Sequence, residues 1–395
     1  MKNIRSQLLP FERLTNEPGH YFFGYYDLQP WSGDGQYHLC NRVDFMDRLP
    51  TATDSAELGM IRMCDREFIP LASTHAWNFQ QGAMLQWNPA KPDEEIIYNV
   101  RPGDSFQCAI QNIITGETRH LPRPLANVSQ DGRFGLSSSF SRMFDFRPGY
   151  GYAGIDDPNA NTPAPEDDGI FLVDLASGED KLVLSLAAIS ELFTKKFGAN
   201  NPKLVINHMT FNPAGDRFVF LARSMPMPGV QDESWLTLAA TCDANGGNIH
   251  VMGNCFAASH YIWRDDSHLL IYADMEGAWK MGLSLVEDQS GKFELKQPEF
   301  FIFDGHCTYS PDKNHILYDS YPDADGYRKL LVYSIQEQKG LLLADLFSSQ
   351  RKDRVSEETR CDLHPRWNRD GSAISFDSTH EGHRHVYCMN LSKIL

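Results

Sequence analysis

Seven times along this chain an aromatic or apolar residue precedes a short Asp/Gly/Asn/Pro turn and an apolar run that alternates like a strand. Trp31 opens WSGDGQYHLC, Trp87 opens WNPAKPDEEIIYNV and Val128 opens VSQDGRFGLSSS. Phe211 opens FNPAGDRFVFLA, Trp263 opens WRDDSHLLIYA, Tyr309 opens YSPDKNHILYDS and Trp367 opens WNRDGSAISFDS. A second hairpin follows most copies, as in FQCAIQNIITGETRHL, IFLVDLASGEDKLVL, LTLAATCDANGGNIHVM and LSLVEDQSGKFEL. Two hairpins per copy make a four-stranded unit. Such units, recurring about every 40–50 residues, are the signature of a β-propeller. The expected fold is therefore all-β: a single seven-bladed β-propeller domain over residues 1–395. The last copy ends soon after its third strand, at HRHVYCMNLSKIL, so an N-terminal strand is expected to complete that blade and close the ring. One stretch, KLVLSLAAISELFTKKFG, has helical spacing and predicts a short inserted helix before blade 4. Another, PGYGYAGIDDPNANTPAPEDDG, reads as a polar loop of the kind that roofs a site or fills space.

The repeat exposes a second pattern. Three residues before the aromatic of blades 4, 5, 6 and 7 stand His208, His260, His306 and His364. Blades 1, 2 and 3 have Leu28, Met84 and Leu125 there. With 14 histidines in 395 residues, four in one register point to function. Strand A of each blade lines the central channel, so equivalent positions form a ring around it. The ends of the B strands open on the same face. They carry Arg42, Arg101, Arg142 and Arg223, then Asp274 and Asp319. Arg223 is the leading arginine because it shares blade 4 with His208; Arg101 and Arg142 are further candidates for binding an acidic substrate. Tyr25 and Tyr26, in GYYDLQPW, sit near the start of blade 1 and can pack, stack on a ligand or donate a proton. Asp362 and His364 are two apart and share one side of a strand. Together with His306 they can supply three ligands to a divalent metal, with mixed N/O donors suiting Mn, Fe, Zn or Ni.

Formal net charge is −16, which argues against a nucleic-acid or anionic-membrane partner. The eight cysteines are scattered with no CxxC, and the N-terminal residues contain no apolar core of signal-peptide length. A reducing, cytoplasmic setting is the expectation. No GxSxG elbow, P-loop or dinucleotide fingerprint competes with the histidine ring. A carboxylate-pair glycoside hydrolase and a non-catalytic sugar- or metal-binding propeller remain open alternatives.

The turn repeats resemble those of TolB-type propellers. NHMTFNPAGDRFVF, SHYIWRDDSHLLIY, GHCTYSPDKNHILYDS and DLHPRWNRDGSAISFDSTHEG resemble the last four blades of the oligogalacturonate lyases. That resemblance implies a cytoplasmic seven-bladed lyase with manganese held by histidines at the channel mouth. It implies His306 and His364 as metal ligands, His260 as the proton-abstracting base and Arg223 as a contact to a substrate carboxylate. His208 joins the catalytic set by its register. The chain departs from the family where a His-x-His pair is replaced by Asp362-Leu363-His364. The reaction implied is β-elimination in an anionic, uronate-containing oligosaccharide, with Mn2+ ahead of Zn2+ or Fe2+.

Overall fold

The computed structural model describes residues 4–198, 202–224, 236–253, 255–348 and 353–394. Seven antiparallel four-stranded blades form a closed ring. Each blade runs outward from a short inner strand A, and neighbouring inner strands lie side by side around the axis. Blade 7 holds Arg366–Trp367, Ala373–Ser378 and His385–Asn390, and its outermost strand is Glu12–Arg13 from the N-terminus. The expected closure is thus observed. One addition was not foreseen: Ile4–Ser6 pairs in parallel with Lys339–Phe347, giving blade 6 a fifth strand.

The A–B turns explain why the repeat reads so clearly. In blade 1 Ser32 Oγ donates to Asp34 Oδ1 (2.6 Å), Asp34 accepts the Gln36 N–H (2.9 Å), and Gly35 takes a φ of 72°. Blade 3 repeats this with Ser129, Asp131 and Gly132. Blade 6 uses Ser310 and Asp312 but places Lys313 at φ 63°, a left-handed conformation that costs a non-glycine residue about 1–2 kcal/mol. The tryptophans after strand A tie blades together. Trp87 Nε1 donates to Pro30 O (2.9 Å), and Trp263 Nε1 to Thr210 O (3.1 Å). Apolar side chains from facing sheets fill the space between blades, as Leu39, Leu58, Trp77, Ile96 and Ala109 do between blades 1 and 2.

The inserted helix forms as expected. Helix α2 (Leu186–Phe197) starts at Ser185, whose side chain accepts the Ala188 N–H, and ends at Gly198 with φ 69°. It buries Leu186, Ile189 and Phe193 against blade 4. The structure adds α1 (Phe140–Phe146) and α3 (Arg354–Glu358), for which the sequence analysis predicts no helix. Among the described residues no helix is long and apolar enough to cross a membrane, and all eight cysteines are free.

Candidate active site

Strand A of blade 1 is broken, and the break builds one wall of the site. Phe22 pairs with Asn41, but the next contact with the neighbouring strand is the bridge from Trp31 to His38. The residues between leave the ladder and cross the channel. Gly24 permits the departure: its φ is 134°, and a Cβ there would lie 2.7 Å from Gln81 O. Arg366 of blade 7 holds this arm, donating to the carbonyls of Gly24 and Tyr25 and to Asp377. Tyr26 is fixed from blade 5, giving its hydroxyl proton to Tyr261 O (2.7 Å) and accepting the Tyr261 N–H (2.9 Å). Tyr25 and Tyr26 therefore stand inside the ring rather than in an outer layer.

The four register histidines converge on this arm. Strand A is bulged at His208 and His260. Met84, His208 and His364 share one register position and have φ of 53°, 69° and 42°. Ring centroids are 4.0 Å apart for His260–His306 and 4.2 Å for His306–His364. Tyr25 stacks on His208 at 4.7 Å and lies edge-on to His364 at 5.0 Å. Tyr26 lies 5.0 Å from His306.

Hydrogen bonds fix the roles of the imidazoles. Burial, then Arg223, holds His208 well below its ordinary pKa, so it is neutral. Burial drives Tyr25 well above its own, so its O–H donates to His208 Nε2 (2.9 Å). His260 is lowered by burial and then by His306. Its Nδ1 lies 2.9 Å from Asp304 Oδ1, and a neutral ring donates that proton to the carboxylate. Nε2 of His260 then carries a free lone pair. Asp304 stays ionised: burial opposes its charge, but its interactions with His260, the Nδ1–H hydrogen bond among them, pull its pKa below the usual range. His306 has a stronger version of this support. Buried Asp319 accepts its backbone N–H (2.7 Å) and its Nδ1–H (2.9 Å), and accepts the His364 N–H at 3.1 Å. One carboxylate thus holds the His306 ring and the backbone of His364. Neither Asp304 nor Asp319 was assigned this role from the sequence.

His306 Nε2 and His364 Nε2 are 3.2 Å apart. Two ligands at about 2.1 Å from one ion lie about 3.0–3.4 Å from each other, so this pair fits a divalent cation. The carboxylate–imidazole support at His306 is the arrangement that metal-binding histidines use. Asp362 belongs to the same cluster, all three ligand atoms lying within 4.8 Å of one another. Its oxygens are engaged, however. Arg360 Nε reaches both (2.9 and 3.1 Å), and Arg328 Nη2 lies 2.6 Å from Oδ1. Burial opposes the charge of Asp362, but Arg360 and Arg328 outweigh it and hold the pKa well below normal. The structure thus gives Asp362 the surroundings of a counter-charge behind the histidines; His364 Nε2 is 4.0 Å away.

Next to His260, whose partners Ser259 and Asp304 line it, lies a cleft of about 350 Å³ with Arg147, Arg223, Arg360 and Tyr321 also in its wall. Arg223 is buried, donates to Ala258 O (3.2 Å), and is lowered by burial and then Arg147 to about 10. Two expected arginines lie elsewhere. Blade 3's second strand ends at Ser137 and helix α1 follows, so Arg142 is not at a strand end. It is buried against Asp157 (2.9 Å) and donates to the carbonyls of Leu204, Thr162 and Pro163. Arg101 donates to the carbonyls of Ala153 and Ala52. Both anchor loops. The polar loop after α1 does reach the site, through Tyr150, which packs on His208 and accepts from Arg360 (2.9 Å).

Asp27 sits beyond Tyr26 in the same arm. Its Oδ2 accepts from Thr210 (3.1 Å), while Oδ1 is buried without a partner among the described residues. Burial pushes its carboxyl from 3.8 up to about 6. A folded value above the unfolded one means that the folded state keeps the proton longer. Stability from this group therefore falls as pH rises from about 4 to about 6 and is then flat. Asp27→Asn is expected to raise stability near pH 7 by up to about 3 kcal/mol and to have little effect near pH 4. Thermal melts at the two pH values check this.

No protein-family model and no curated protein matches the chain. Solved structures do, and they define the class first: the β-propeller domain of the trilobed protease from Pyrococcus furiosus aligns over 95% of this chain and 94% of its own, with a TM-score of 0.50 and 8% identity. More particularly, an oligogalacturonate lyase in complex with manganese aligns over 99% of this chain and 98% of its own, with a TM-score of 0.66 and 15% identity. A second, from Vibrio parahaemolyticus, aligns over 98% of both chains at 0.65 and 14%. The resemblance read from the last four blades is thus met over nearly the whole chain, at identities that show the fold.

Proposed function

We propose that the channel mouth carries out metal-assisted β-elimination on a uronate-containing oligosaccharide. The observation that carries this reading is His260. It is a neutral imidazole fixed through Nδ1 by Asp304, packed on the His306–His364 pair beside a cleft with three arginines. In the proposed reaction His260 Nε2 takes the C5 proton of a 4-linked uronate. The C5–H electron pair becomes a C4–C5 double bond, and the C4–O bond breaks to release the next sugar, whose oxygen takes up a proton. A neutral imidazole suits the first step because its reference pKa lies near the working pH. Arg223 and Arg147 are assigned to the substrate carboxylate, where positive charge stabilises the developing enolate. His306 and His364 would hold a divalent cation, manganese ahead of zinc or iron, which supplies further positive charge at that carboxylate. Tyr25 is held by His208, and Tyr26 by Tyr261, so both shape the wall beside the base.

A hydrolase needs two carboxylates facing the scissile bond. The two strand-end candidates are occupied: Asp274 accepts three backbone N–H groups of its own turn, and Asp319 holds the two histidines. The lyase reading is therefore preferred to the hydrolase. The free thiols fit a reducing compartment, and the cytoplasm is proposed as the setting. Mass spectrometry of products from an oligogalacturonate separates the classes. Elimination splits the chain without adding water, hydrolysis adds one water per cut, and a binding module leaves the substrate whole. A gain of water would sink the lyase reading.

A further inference from the structure

Of the six described tryptophans, Trp31, Trp77, Trp87, Trp263 and Trp367 are at most 5% exposed, and Trp279 is 58% exposed. It lies in the loop joining His268–Ala273 to Gly282–Glu287 in blade 5. That loop is on the same side as the histidines, because Ala273 pairs with Ala258 at the start of the strand that carries His260. The exposure is built in. Fully buried Asp274 accepts the backbone N–H groups of Gly277 (3.0 Å), Ala278 (3.1 Å) and Trp279 (2.6 Å). Trp279 itself has a φ of 58°, a rare conformation for a bulky residue. Strain of this kind persists only where the surrounding structure enforces it, and an observed outlier is grounds for a functional hypothesis. The indole stacks on Phe256, with centroids 5.9 Å apart and planes 14° apart, while more than half of the residue stays exposed. From Phe256 the chain runs through Ala257, Ala258 and Ser259, which line the arginine cleft, to His260. An extended chain of this length spans at most about 14 Å.

We propose that Trp279 is a sugar-stacking platform, a distal subsite for an oligosaccharide whose reacting unit lies at His260. This rests on the function proposed above and adds that the substrate is longer than a disaccharide. A pyranose ring presents an apolar C–H face of the right size to an indole, and large aromatics are the usual apolar walls of such sites. Asp274 is fully buried and taken up by backbone N–H groups, so the exposed part of the turn carries one charge of each sign, Glu276 and Lys280. Trp279 lies exposed on the turn between two strands, outside the apolar clusters that pack the blades, so its substitution leaves the ring intact.

The test is calorimetric titration of the intact protein, with chelator present to prevent turnover, using the dimer and the hexamer of α-1,4-galacturonate. Trp279→Ala is expected to weaken hexamer binding about three- to tenfold and leave dimer binding unchanged. Trp279→Phe should retain most of the affinity. Equal loss for both lengths, or no loss for either, overturns the platform. A wild-type protein that binds by length but forms no elimination product sinks the lyase reading and leaves the platform standing.

Discussion

Replacing His260 with alanine is expected to lower kcat for uronate elimination by about 10²–10⁴-fold, the contribution of a positioned general base. Fold should be retained, because the side chain's one charged partner is Asp304, which is 28% exposed and can turn to water. Asp304→Asn gives the finer result. Among the influences on His260, Asp304 raises its pKa against the lowering by burial and His306. Removing that charge should lower the pKa further, so the acid limb of kcat/KM moves to lower pH while kcat falls modestly. A limb that moves up, or stays put, would mean that the titrating base is a different group. Full activity in His260→Ala would end its assignment altogether.

The second large effect concerns metal. His306→Ala or His364→Ala should abolish stoichiometric metal in the purified protein, read by elemental analysis. Asp319→Ala should weaken metal affinity by about 10–100-fold through the loss of its support to His306. Asp362→Ala separates ligand from counter-charge. As a counter-charge, its removal strands Arg328 and Arg360 in a buried site, a change that costs about 3–5 kcal/mol of stability. The folded fraction should still hold metal. Loss of metal with stability unchanged would make Asp362 a direct ligand, as its spacing from His364 first suggested.

The ring and its histidines were legible because both follow the strand repeat. The A–B turns mark where strand A ends, and counting back three residues from the aromatic that opens blades 4 to 7 finds His208, His260, His306 and His364 without a structure. What supports the histidines was less legible. Asp319 sits at the end of strand B, next to the strand that follows His306, and its placement made it visible as a candidate carboxylate but not as an imidazole partner. Asp304 lies outside any strand and reaches His260 from a neighbouring blade, a contact that no local pattern encodes. Arg142 was misplaced because helix α1 was missed. Its signals were present: Ser139 as N-cap, then Phe140, Met143 and Phe146 at helical spacing. Tyr25 and Tyr26 were placed near the start of blade 1, but the arm that carries them into the channel depends on Gly24 and on the distant Arg366.

The central claim is that imidazoles from blades 4 to 7 form one metal-dependent elimination centre. Ultraviolet absorbance of the unsaturated uronate product tests it most directly. Oligogalacturonate should be followed with untreated protein, with chelated protein, and with chelated protein resupplied with manganese. The account predicts rising absorbance, its loss on chelation and its return with the metal. Flat traces in all three, or a rise that chelation does not touch, would contradict it.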